Sequence, residues 1–168
     1  LARRIIGKGP HPLEKEFVTD QDLANISETV RHDGYAIVPS VLGGTEISLL
    51  LHALPDLEPH RSRAGVRHVL GHPPVTAVAC HTKLRAIAEA VLGDSAIPFR
   101  ATLFDKSPDS NWLVAWHQDT ALPLREKLEK AGWGPWSVKE GVNYAHAPTR
   151  ALEQVLALRI HLDDSTAQ

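Results

Sequence analysis

The feature that most constrains the fold of this 168-residue chain is a change in the spacing of its apolar residues near Ala96. Before that point, apolar residues recur every three or four positions, which predicts amphipathic helices. These predicted helices cover residues 20–31, 45–54 and 73–92. After it, the spacing predicts strands. These predicted strands cover residues 97–106, 112–119 and 155–164. Helices followed by strands are typical of an α+β fold.

The predicted helices have recognisable signals at their ends. Thr19 can cap the first helix, Asp22 completes a capping box, and Gly34 supplies the C-terminal stop. A break near His81 divides the segment 73–92 into two helices. The segment 35–42 predicts a short strand, and 132–148 predicts an irregular insertion rich in Trp and Gly.

Composition narrows the class of protein. The length fits one domain, and the formal net charge of -2 gives no basic field for nucleic acid or for a membrane surface. No apolar run reaches the roughly 20 residues of a membrane-spanning helix, and the basic opening segment lacks the apolar core of a secretory signal. A single cysteine, Cys80, fits a reducing compartment. We therefore expect a cytoplasmic protein, with an oligomeric state that the sequence does not define.

His117 and Asp119 form the most informative polar pair. On an extended strand, residues two positions apart project to the same face, so one imidazole and one carboxylate can reach the same ion. They supply two corners of a 2-His-1-carboxylate triad, which leaves iron(II) open to further ligands. A second pair, His161 and Asp163, has the same spacing, and spacing alone does not choose between the two.

The surrounding sequence resembles the phytanoyl-CoA dioxygenase family. The resemblance covers about residues 35–168 and is strongest from Phe99 onward. The segments that carry it are FDKSPDSNWLVAWHQD, GWGPWSVKEGV and LALRIHLDDSTAQ. In that family an HQD-like segment holds the first two iron ligands, and a later strand ends in an LDD-like segment. The resemblance implies a metal site at His117 and Asp119 and makes the His161 pair coincidental.

The resemblance implies a fold and an activity. The fold is a helical part, residues 1–93, followed in residues 94–168 by the first strands of an incomplete double-stranded β-helix (jelly roll) and a lid-like insertion. The activity is that of an Fe(II)- and 2-oxoglutarate-dependent dioxygenase hydroxylating a small organic substrate. A carboxylate at Asp119 favours hydroxylation, because related halogenases leave that position empty. The family's distal His and 2-oxoglutarate-binding Arg would follow Gln168, so we expect a C-terminally truncated and inactive fragment.

The remaining candidates would contact the cosubstrate. The resemblance and the period-two face of the first strand point to Thr102 and Lys106, while Arg159 and Gln118 are candidates from their places in the family segments. The alternative for the strand residues is a solvated face. Two other classes of function also stay open. One is a metal-dependent hydrolase, and the other is a non-catalytic jelly-roll binding protein whose metal site has decayed.

Overall fold

The computed structural model describes residues 3–7, 18–55, 57, 65–105 and 117–163. These residues form a mixed α+β fold with three small sheets, one parallel and two antiparallel. The helices are α1 (Asp20–Asp33), α2 (Gly44–Ala53), α3 (Pro73–Ala79), α4 (Thr82–Leu92) and α5 (Thr149–Leu152). The strands are β1 (Arg3–Gly7), β2 (Tyr35–Ile37), β3 (Gly65–Arg67), β4 (Thr102–Phe104), β5 (Ala121–Leu124), β6 (Trp136–Lys139), β7 (Val142–His146) and β8 (Leu156–Ile160).

The parallel sheet has the strand order β2-β1-β8. It is joined to α1 and α4 by an apolar core in which Val30 of α1 and Ile87 of α4 are fully buried. Ala36 and Val38 add buried side chains from β2 and the residue after it, and two leucines of β8 pack against the cluster from the sheet. Because a parallel pair needs a crossover, the chain passes from β1 through α1 to β2.

The antiparallel sheets position the candidate site. One contains β3 and β4, and the other has the order β5-β7-β6. A two-residue turn joins β6 to β7, and its residues Glu140 and Gly141 both have positive φ angles (51° and 78°). A two-residue turn with two positive φ angles matches the right-handed twist of the paired strands. Glycine adopts a positive φ angle without strain, which explains its presence at position 141. Glu140 also forms an ion pair with Arg67 of β3 at 3.1 Å, so the hairpin turn is linked to the neighbouring sheet.

The helical predictions are confirmed in detail. In α1, the Thr19 hydroxyl accepts from the Asp22 N–H at 3.2 Å, and the Asp22 carboxylate accepts from the Thr19 N–H at 3.0 Å. Gly34 ends the helix with φ 82°, in the left-handed region. The expected break near His81 separates α3 from α4, and the His81 ring caps α4 by accepting from the Lys83 N–H.

The strands differ more from expectation. In the described part of the first predicted strand, residues 97–105, only Thr102–Phe104 form a strand, consistent with the missing N–H of Pro98. The segment 132–148, expected to be irregular, contains β6 and β7. Residues 112–116 of the predicted second strand lie outside the described residues, and 117–119 are not in a strand.

The presence of helices together with small sheets confirms the predicted α+β class. No helix in the described part of the chain is long and apolar enough to cross a membrane.

Candidate metal centre

The side chains of His117 and Asp119 point to the same place. His117 Nε2 lies 3.6 Å from Asp119 Oδ1, and both side chains are largely exposed, His117 at 57% and Asp119 at 74%. Neither residue is part of a strand, and the pairing of β5 begins only at Ala121. The two side chains therefore lie close together without the strand on which the two-residue spacing argument relied.

The separation of the two donor atoms is close to that of ligands on one ion. Two atoms about 2.1 Å from an ion are about 3.0 Å apart at 90° and about 3.4 Å apart at the tetrahedral angle. The observed 3.6 Å exceeds the 90° value expected of a facial triad by about 0.6 Å. Both side chains are exposed, so neither donor is sealed in an apolar core and a change of side-chain rotamer is needed to bring both onto one ion. His117 and Asp119 thus fit two ligand positions of a metal site.

The described residues do not provide a third metal ligand in a preformed cluster with this pair. Among the residues that the structure describes, no group of three or more His, Cys, Asp or Glu side chains is arranged to hold a metal ion. A triad on His117 and Asp119 therefore needs a further donor from outside this arrangement. Two protein ligands leave most of the coordination sphere to water, which makes binding by this pair alone weak.

The residue that follows Asp119 is fixed to β7. The hydroxyl of Thr120 lies 2.6 Å from His146 Nδ1, and its carbonyl accepts from the Ala147 N–H at 2.8 Å. Ala121 is the register partner of His146 in the β5–β7 pair. The segment that carries His117 and Asp119 is therefore held at its C-terminal end by the sheet.

The other candidate residues lie elsewhere. Thr102 is half-buried in β4, opposite Arg67 of β3, and Arg159 is exposed on β8 in the parallel sheet. Gln118 is exposed between His117 and Asp119, and Lys106 lies outside the described residues. The structure thus brings His117 and Asp119 together. Thr102 lies in the β3–β4 sheet, and Arg159 lies in the parallel sheet. Their roles toward 2-oxoglutarate stay predictions.

The second His-x-Asp pair has a different environment. His161 follows the last residue of β8 and is half-buried, while Asp163 is exposed. On β8 itself the alternation is as predicted, with Leu158 and Ile160 half-buried and Arg159 exposed. Within the described residues, the imidazole of His117 and the carboxylate of Asp119 are shown close together.

Sequence reasoning missed Thr120 and His146. They are 26 positions apart, and neither belongs to a recognised motif. The available signal was the pair of short β-rich segments on either side of Glu140 and Gly141, which is the pattern of a two-residue hairpin. That signal predicts the β6–β7 hairpin but not the pairing of β7 with β5. The contact between Thr120 and His146 depends on that pairing.

No protein-family model, no curated protein and no solved structure matches this chain. The interpretation of the site therefore depends on its residues, their geometry and the motif resemblance.

Proposed function

We propose that this chain belongs to the non-haem iron(II), 2-oxoglutarate-dependent oxidoreductases, a class that hydroxylates small organic substrates. The observation that carries the proposal is the convergence of His117 and Asp119, whose donor atoms are 3.6 Å apart at an exposed position. The sequence around them, which resembles the phytanoyl-CoA dioxygenase family, supports the same class. The proposal includes the jelly-roll fold of that class, to which β3–β4 and β5–β7–β6 would contribute strands.

The two residues have distinct roles. The neutral imidazole of His117 donates a nitrogen lone pair to the ion, and the carboxylate of Asp119 adds an oxygen donor with a negative charge. When bound, iron(II) with 2-oxoglutarate supplies the oxidising chemistry for hydroxylating a C–H bond. Because Asp119 occupies its ligand position with a carboxylate, the pair favours hydroxylation over halide transfer.

The cosubstrate is an oxoacid with two carboxylates, so it needs cationic or hydrogen-bonding partners. Arg159 and Lys106 are the candidates for charged contacts, and Thr102 and Gln118 are the candidates for hydrogen bonds. Of these, Arg159 is exposed on β8, and an exposed guanidinium is accessible to a carboxylate. The proposal assigns the four residues to the 2-oxoglutarate subsite.

The proposal predicts that 2-oxoglutarate binds in a metal-dependent way. A chelating oxoacid gains two bonds to iron, so the 168-residue chain should bind 2-oxoglutarate at least tenfold more tightly with Fe(II) than without it. Anaerobic calorimetric titration measures both affinities. We expect His117→Ala to remove the difference, because the variant lacks the imidazole ligand.

The matched control for that titration is His52→Ala. His52 is also exposed, and its Nδ1 contacts the Ser48 carbonyl within α2 at 2.7 Å, away from the metal pair in sequence. This variant should keep the Fe(II)-dependent gain in 2-oxoglutarate affinity. If His117→Ala kept the Fe(II)-dependent gain in 2-oxoglutarate affinity, the gain would not come from the proposed ligand, and the assignment of the metal to His117 would be wrong.

A further inference from the structure

A half-open cavity of about 210 Å³ lies where the C-terminal end of α4 meets the start of β8. Its lining combines four large apolar side chains with three polar ones. The apolar side chains are Leu92, Ile97, Phe99 and Leu156, and the polar ones are Asp94, Ser95 and Gln154. A concave surface with apolar walls and a few polar groups is the usual form of a small-molecule site.

The local sequence explains why the cavity stays open. Gly93 and Ser95 have positive φ angles of 91° and 71°, so the chain turns sharply after α4. Pro98 has no N–H and favours an extended conformation at the residue before it. The segment forms neither helix nor strand there, and Ile97 and Phe99 are left 78% and 45% exposed. Exposed apolar side chains around a concavity are typical of a ligand-binding groove.

The polar part of the lining favours a cation. Among the described residues that line the cavity, Asp94 is the only charged one, and it follows the C-cap of α4. The last carbonyl groups of a helix form the negative end of its dipole, which also attracts positive charge. Just outside the lining, Arg100 and Glu153 each adjoin a lining residue in sequence and carry opposite charges. The Asp94 carboxylate therefore determines the sign of the charge that the cavity prefers.

The size of the cavity limits the apolar part of a ligand. A protein cavity of about 150 Å³ can bind benzene, so this one has room for a single ring and a short arm. We propose that the cavity binds a small primary amine in its ammonium form, with an apolar body about the size of one ring. The ammonium group donates to Asp94, and the Ser95 hydroxyl and the Gln154 amide oxygen offer further acceptors. This inference goes beyond the proposed function and does not depend on it.

The test compares phenethylamine with phenethyl alcohol, a neutral compound of nearly the same size. Each is titrated at neutral pH into the isotopically labelled 168-residue chain, and the backbone amides are followed by two-dimensional NMR. We expect saturable shifts with both compounds, centred on residues 92–97 and 154–156. The amine should bind about threefold more tightly than the alcohol, as expected of a charge contact at an exposed position.

Asp94→Asn isolates the charge. This variant should bind amine and alcohol equally, with its affinity for the alcohol unchanged, because the substitution removes the charge and keeps the shape. The matched control is Asp163→Asn, which removes an exposed carboxylate beyond the end of β8 that is opposite Leu156. The control should keep the threefold preference for the amine.

Phe99→Ala tests the apolar wall. The variant loses part of the surface that covers the ring, so both compounds should bind about threefold or more weakly. Phe104→Ala is the control, because Phe104 is 66% exposed on β4 and does not line the cavity. It should leave both affinities unchanged, and the amide spectrum of each variant shows directly that it is folded.

Two kinds of result would overturn the proposal. Shifts that scatter over the surface, or that rise without saturating, would show that the cavity is not a binding site. Saturable shifts at the cavity with equal affinities for amine and alcohol, or an Asp94→Asn variant that kept the preference, would show that its ligand is not an ammonium compound.

Discussion

Replacing Gly65 by alanine is expected to destabilise the folded chain by more than about 3 kcal/mol. Gly65 begins β3 with φ 117°, a conformation that side chains of L-residues rarely adopt. A Cβ built on its backbone would lie 2.0 Å from the carbonyl oxygen of Leu103 on the paired strand β4. The obstacle is backbone, so relief requires the β3–β4 pair to move apart.

The matched control for this change is Gly71→Ala. Gly71 ends the 3-10 turn at Val69–Gly71, and a Cβ there would meet no atom within 4 Å. Denaturant unfolding of both variants measures the difference in the free energy of unfolding. A Gly65→Ala variant within about 0.5 kcal/mol of Gly71→Ala would show that β3 does not approach β4 as the structure has it.

Truncating Ile87 to alanine is expected to cost about 3 kcal/mol, within the range for large-to-small changes at buried positions. Ile87 is 1% exposed and is the most buried side chain that α4 contributes to the core shared with α1 and β2. Removing its side chain loses apolar burial and leaves a cavity between these elements. The cavity cannot easily collapse, because Val30 on the facing helix is itself fully buried.

Leu49→Ala is the control for this second change. Leu49 lies on α2, and 67% of it is exposed, so its truncation should change the free energy of unfolding by less than about 0.5 kcal/mol. Chemical denaturation with a shared slope for all variants gives the comparison. Equal midpoints for Ile87→Ala and Leu49→Ala would contradict the packing of α4 on the parallel sheet.

Local signals explain why the helices could be predicted from the sequence. Thr19, Asp22 and Gly34 act within a few residues of one another, so the start and end of α1 follow from local chemistry. The strands depend on partners far away in sequence. The central strand of the parallel sheet, β1, contains two isoleucines among basic residues and shows no alternation, so only its pairing with β2 and β8 reveals it.

The difference between local signals and contacts distant in sequence also applies to the candidate site. The proximity of His117 and Asp119 agrees with their two-residue spacing, although residues 117–119 do not form the strand on which that spacing argument relied. The contact between Thr120 and His146 could not be predicted, because it depends on the register in which β7 pairs with β5. Roles for Thr102 and Arg159 depend on how separate sheets are arranged, which period-two reasoning within one strand does not address.

The central claim is that His117 and Asp119, and not His161 and Asp163, hold the iron. The two carboxylates are alike in type and exposure, so Asp119→Ala and Asp163→Ala form a matched pair. Asp119→Glu keeps the charge one methylene away and should bind Fe(II) with intermediate affinity.

The most direct measurement is the anaerobic Fe(II) affinity of Asp119→Ala and Asp163→Ala, compared with the unaltered chain by calorimetry. We expect weak binding by the unaltered chain, a loss of at least tenfold in Asp119→Ala, equivalent to about 1.4 kcal/mol, and no change in Asp163→Ala. Unchanged affinity in Asp119→Ala together with a tenfold loss in Asp163→Ala would contradict the account and assign the metal to the His161 pair.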